Sequence, residues 1–142
     1  MGSNRTLAII KPDAIRARTM GKIIDRILEA GLEIRSARLL RLTKARADEF
    51  YAIHRGKPFF DELTTFMSSG LCFPMALERE QAVEVFRTLI GATDPAQANT
   101  GTLRKDFATS VGENAVHGSD SDEDAQKEVA FFFTPEDILG HL

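Results

Sequence analysis

RTLAIIKPDAIRARTMGKIIDRILEAG, residues 5–31, changes its backbone period midway, and that change sets the architecture. Its first seven residues, RTLAIIK, are strongly β-prone and stop at Pro12, which has no N–H to continue a ladder. Met20, Ile23, Ile24, Ile27 and Leu28 then recur at i, i+3, i+4, i+7 and i+8, the pattern of an amphipathic helix, with Gly31 beyond its end.

Working outward, LEIRSARLLRL (32–42) alternates imperfectly and predicts a second, bulged strand. Thr43 is placed to cap a helix carrying Ala47, Phe50 and Tyr51. Pro58 opens another, with Phe60, Leu63 and Met67 on one side and Gly70 after it. LCFPMAL (71–77) predicts a third strand, which Pro74 assigns to a sheet edge or a bulge. A helix over roughly 80–90 ends at Gly91, and residues 92–116 carry so little apolar periodicity that they predict a long functional loop. Ser119 or Ser121 caps a short acidic helix, VAFFF (129–133) predicts a fourth strand, and Thr134-Pro135 starts a terminal helix. This order predicts an α+β fold: a ferredoxin-like α/β sandwich whose four-stranded antiparallel sheet is covered by helices.

At 142 residues, 1–142 is expected to form one domain, burying about two thirds of the surface of its unfolded chain. A formal charge of −3 argues against a protein that works by coating nucleic acid. No apolar run approaches the roughly 18–20 residues that span a bilayer, and no secretion signal opens the chain, so no membrane partner and a cytoplasmic location are expected. Cys72 stands alone in an apolar run, which excludes an internal disulfide and fits a reducing compartment and a core position. MGSNRT matches the acylation pattern M-G-x-x-x-[ST], a weak signal in a segment that runs directly into a strand.

The residues with chemical potential centre on NAVHGSDSDED (114–124). His117 sits between an apolar pair and a glycine, which suits neither a core histidine nor a solvated one. Neutral imidazole is a competent nucleophile near pH 7, and a covalent intermediate divides one hard transfer into two easier ones. Lys11 at the end of the first strand, Arg87 late in a helix and Arg104 in the long loop could ring that imidazole as a polyanion site. Singly, each is an ordinary surface charge. No G-x-x-x-x-G-K-[ST] loop and no kinase-type glycine loop is present, so side chains would have to hold the phosphates. Asp120, Asp122, Glu123 and Asp124 would repel phosphate unless turned away, and acids in a helix's first turn have that simpler explanation.

IIKPDAI (9–15), FYAIHRGKPFF (50–60), GATDPAQANTGTLRKDF (91–107) and NAVHGSDS (114–121), in this order, resemble the nucleoside diphosphate kinase family over essentially the whole chain. The resemblance implies a ping-pong phosphotransferase. A nucleoside triphosphate, typically ATP, phosphorylates His117 on its pros nitrogen, and a second nucleoside diphosphate collects the group. It implies Lys11, Tyr51, Arg87, Thr93 and Arg104 on the phosphates, Lys11 and Asn114 on the sugar, and Phe59 stacked on the base. Ser119 and Glu128 would support the histidine. Mg²⁺ would arrive on the nucleotide phosphates, with no metal ligand from protein side chains. The partners implied are nucleoside tri- and diphosphates and further copies of the chain, as a tetramer or hexamer of dimers. Leu71 and Pro74 depart from the family's usual proline placement, Ile53 stands where relatives carry an acid, and the end at Leu142 resembles the shorter bacterial form. The alternative is a non-catalytic ferredoxin-like module that binds nucleotide for regulation.

Overall fold

The structure is a computed structural model and describes residues 4–139. The acylation pattern begins at Met1-Gly2-Ser3, outside the described residues, as is the terminal Leu142. In chain order the elements are β1 (Arg5–Ile10), α1 (Pro12–Arg16), α2 (Met20–Glu29), β2 (Glu33–Ala37), β3 (Leu40–Arg41) and α3 (Lys44–Phe50). Then come α4 (Phe60–Met67), β4 (Leu71–Glu78), α5 (Ala82–Ile90), α6 (Leu103–Phe107), β5 (Val116–Gly118) and α7 (Asp122–Phe132). Short 3₁₀ turns lie at Ala52–His54, Pro95–Gln97 and Pro135–Asp137.

The sheet of the described residues is antiparallel, ordered β2-β4-β1-β5, with β3 also paired to β4. It has five strands where four were expected, because the predicted strand over 32–42 breaks into β2 and β3 along the same partner. A bulge between Ile34 and Ser36 begins the break. β1 is inner and buried on both faces. Leu7 and Ile9 pack with Ala47, Met67, Val129 and Phe132 of α3, α4 and α7, while Ala8 and Ile10 pack with Ile23, Ile27, Phe86 and Ile90 of α2 and α5. Ile23 and Ile27 are fully buried, each contributing about 1.5–3 kcal/mol. Among the described residues no helix is long and apolar enough to cross a membrane.

Four expectations are corrected. VAFFF is helical: Ser121 caps α7 by accepting from the Asp124 N–H, three acids fill its first turn, and Ala125, Val129 and Phe132 form one buried face. The fourth partner in the sheet is β5, three residues that begin where the expected loop ends and that were not expected as a strand, registered with Ile9 opposite His117. Pro74 lies in an inner strand, not at an edge. Its carbonyl accepts from Arg38 N–H, between the end of β2 and the start of β3, so its proline nitrogen faces the gap where no ladder bond is needed. At the C-terminal side, Thr134-Pro135 starts only a 3₁₀ turn, closed by Asp137 accepting from the Thr134 N–H.

Candidate active site

The ends of β1 and β5 bring the first functional side chains together. Lys11 follows Ile10 directly and is almost fully buried; its Nζ donates to Asn114 Oδ1 at 2.8 Å. Asn114 Nδ2 in turn donates to the Thr93 carbonyl at 3.2 Å, which ties the strand ends to the segment after α5. His117 is held by its backbone in β5 and is partly buried. The next residue must be glycine: a Cβ at 118 would stand 2.9 Å from the Phe86 ring and 3.0 Å from Ile90.

After Gly118 the chain turns through Ser121 and α7 runs back along β1, which delivers Glu128 to His117 across eleven positions. His117 Nε2 lies 2.7 Å from Glu128 Oε1. The same oxygen accepts from Ser119 Oγ at 2.8 Å, and Ser119 Oγ accepts from the Leu7 N–H at 3.3 Å. A backbone donor in the central strand thus orients the hydroxyl, the hydroxyl orients the carboxylate, and the carboxylate orients the ring. An ionised carboxylate only accepts, so Nε2 carries the proton and Nδ1 keeps its lone pair in the neutral ring. Phe50 and Tyr51 close the imidazole on its flanks, at centroid distances of 5.4 and 6.2 Å, both edge-on.

Arg104 lies in α6, a short helix capped by Thr102, rather than in irregular loop. It is buried: Nη1 donates to the Gly91 carbonyl at 2.9 Å and Nη2 to the Val116 carbonyl at 3.0 Å. Gly91 has a φ of 85°, and a Cβ there would collide with Thr102 Oγ1 at 2.6 Å. Burial lowers the Arg104 pKa. Burial and then the Arg104 charge push Lys11 down to about 8, against a pull upward from Asp13. Two buried donors, Arg104 Nε and Tyr51 Oη, have no hydrogen-bond partner among the described residues. Burial raises the Tyr51 pKa, so its hydroxyl remains a donor. Buried polar atoms are normally paired, so these two, beside an ammonium and a guanidinium, suit an anion.

Lys11, Tyr51, Phe59, Thr93, Arg104, Asn114, His117 and Glu128 line one cavity of about 600 Å³. Arg87 faces an adjoining recess of about 140 Å³ that shares Thr93 and Arg104. Ser119 stands behind the wall through Glu128. Every site residue singled out in the sequence therefore falls on one cavity, its recess or its support. Asp120 and Asp124 are not turned away: both line the cavity, Asp120 with its carboxylate paired to Arg87 Nη1 at 2.7 Å. Phe59 is half-exposed at the mouth, 5.2 Å from the His54 ring. His54, Phe50, Leu63 and Val111 also line the cavity and were not anticipated. Val111 was the most legible of them, an isolated apolar side chain in a polar loop. Burial, followed by the Lys57 charge, lowers the His54 pKa.

The family model described as nucleoside diphosphate kinase matches residues 4–138. A nucleoside diphosphate kinase of Chlorobium limicola is 56% identical over 135 residues, covering 95% of this chain and 96% of that one. The Salinibacter ruber protein of the same name is 50% identical over 141 residues, covering 99% of each. Among solved structures, nucleoside diphosphate kinase of Aquifex aeolicus superposes with a TM-score of 0.94 at 43% identity, covering 96% of this chain and 99% of that one. The Halobacterium salinarum enzyme, solved in complex with CDP, gives 0.94 at 35% identity, covering 100% and 94%. With this ring of cations around a carboxylate-held histidine, and with likeness over the whole described length, the chain belongs to the nucleoside diphosphate kinase family.

Proposed function

We propose that this chain, acting as one domain, moves the γ-phosphoryl group of a nucleoside triphosphate to a nucleoside diphosphate through a phosphohistidine on His117. The observation that carries the reading is the 2.7 Å bond from His117 Nε2 to Glu128, which leaves Nδ1, the pros nitrogen, as the ring's nucleophile in the cavity. In the first half-reaction the Nδ1 lone pair forms the N–P bond as the bond from phosphorus to the bridging oxygen breaks. The diphosphate leaves with the electron pair. The ring becomes cationic, its Nε2 proton still shared with Glu128, and the carboxylate offsets the new charge. A second diphosphate then attacks phosphorus and the same events run in reverse.

Phosphoryl transfer asks a protein mainly for position and charge. Arg104, Lys11 and Tyr51, which line the cavity, meet the phosphates. Arg87 and Thr93 meet them from the adjoining recess. Asn114 and Lys11 hold the sugar, and Phe59 stacks on the base. Stacking uses a π face that every base has, so purines and pyrimidines are both accepted; the halobacterial relative solved with CDP supports the pyrimidine case. Among the described residues no group of three His, Cys, Asp or Glu side chains converges as a metal cage. The cavity's cations suit the phosphates, and a Mg²⁺ would arrive held by phosphate oxygens and water, adding to the charge that offsets theirs. Assembly as a tetramer or hexamer of dimers, and a cytoplasmic location, belong to the same reading.

Initial rates over a grid of ATP and dTDP concentrations test this, because a covalent carrier requires parallel double-reciprocal lines. Intersecting lines would show both nucleotides bound together and remove the carrier.

Lys11 supplies a pH prediction. In the free chain its ammonium loses its proton through about pH 8, so ADP affinity is expected to fall as pH rises through that value. Bound phosphate favours the charged form, so binding takes up a proton above it. Calorimetry in two buffers of different ionisation enthalpy reads that uptake, and Lys11→Met abolishes it; equal heats in both buffers would contradict the assignment. Stability has the opposite sign. Between about 8 and the unfolded value of 10.5 the unfolded chain binds more protons at Lys11, so this group's contribution to stability rises with pH.

A further inference from the structure

Two residues before His117, Ala115 adopts a φ of 72° and is fully buried. Val116 N–H donates back to the Asn114 carbonyl at 2.8 Å, so the three residues form a γ-turn of the positive-φ kind, which is rare and strained for any residue but glycine. This turn aims Asn114 at Lys11 on one side and starts β5, with His117 in register with Ile9, on the other. Both polar groups of Ala115 are gripped by the KPD segment. Its carbonyl accepts from Lys11 N–H at 2.8 Å, and its N–H donates to Asp13 Oδ2 at 3.0 Å.

Apart from its upward pull on Lys11, Asp13 has no part in the phosphotransfer chemistry described above. Its other oxygen, Oδ1, is buried without a hydrogen-bond partner among the described residues. Burial raises its pKa, and the bond from Ala115 with the charge of Lys11 draws it back. An acid in the first turn of a helix complements the dipole, yet that role needs no half-buried carboxylate reaching 102 positions along the chain. A charge-assisted bond to the Ala115 N–H does.

We infer that Asp13 is a positioning residue for phosphoryl transfer, its carboxylate holding the strained turn at Ala115 that sets His117 and Asn114 in place. The inference rests on the phosphohistidine reading above. Glycine adopts positive φ without strain, which gives a test that a merely structural aspartate would fail. Single-turnover labelling of the chain by γ-labelled ATP at saturation is the readout, with melting temperature measured beside it. Asp13→Ala is expected to slow labelling by roughly 30-fold and the isosteric Asp13→Asn, whose neutral amide still accepts, by roughly fivefold. Adding Ala115→Gly is expected to recover most of the loss in either background while leaving the parent rate within about twofold.

A folded Asp13→Ala chain that labels at the parent rate, or one that Ala115→Gly does not help, would overturn the inference. If Asp13→Ala fails to fold, the Asp13→Asn pair decides by the same criteria. A parent chain that takes no label removes the phosphohistidine itself, whereas a labelled parent with an indifferent Asp13 removes only this role.

Discussion

His117→Ala and His117→Gln are expected to reduce phosphotransfer to below roughly 10⁻⁴ of the parent rate, on the scale seen when a covalent nucleophile is removed. His117 lines the cavity of about 600 Å³, and the proposed mechanism gives the phosphoryl group no other carrier there. The fold should survive. β5 pairs with β1 through its backbone, and the imidazole is partly exposed. What disappears is one hydrogen bond to Glu128, which keeps Ser119 as a donor, and the edge contacts with Phe50 and Tyr51. Such losses cost about 1–2 kcal/mol, which an unchanged melting cooperativity and a shift of a few degrees would register. Turnover above about one per cent in a pure mutant would contradict the mechanism.

Arg104→Ala is expected to lower kcat/KM by roughly 10²–10³-fold, the range for removing one donor from a site where charge develops. The charge is lost together with the bonds to the Gly91 and Val116 carbonyls. The last two explain a concurrent destabilisation of about 1–3 kcal/mol, since two buried acceptors lose their partners. Arg104→Lys keeps the charge but not the fork, and should fall between mutant and parent. Because the Arg104 charge depresses Lys11, the pH limb near 8 should move upward in Arg104→Ala. Phe59→Ala is the comparison. Its ring is half-exposed at the mouth and away from the moving phosphoryl, so it should raise KM several-fold and leave kcat nearly unchanged. Equal losses in the two mutants would contradict this division of labour.

How much of this was legible before the structure depends on how long each signal ran. β1 and α2 announced themselves because six and ten residues suffice to show a period, and Thr43 and Gly91 marked element ends by cap and glycine chemistry. β5 did not, because three residues show no period; its burial comes from lying beside β1. VAFFF misled for the opposite reason. Three adjacent phenylalanines hide the helical spacing of Ala125, Val129 and Phe132, and aromatic density imitates a strand. Pro74 misled because a proline in an inner strand is tolerated only where the partner is broken, and the break between β2 and β3 leaves little trace in LEIRSARLLRL.

The site was more legible than the fold around it. Its principal residues sit in four motifs and could be named one by one, and all of them reach one cavity, its recess or its support. What the motifs concealed were the tertiary relations. Arg87 engages Asp120, Phe50 packs edge-on against His117, and Asp13 reaches Ala115 across more than a hundred residues. No local spacing encodes such contacts; they exist only once β1 and β5 lie side by side.

The central claim is a phosphoryl group carried on His117. Purified chain mixed with γ-labelled ATP and magnesium, without acceptor, should take up label that is labile to acid and stable to base. That label should be absent in His117→Ala and should be discharged by GDP, CDP or dTDP alike. A chain that binds nucleotide yet takes no label, or takes it on another residue, would contradict the account.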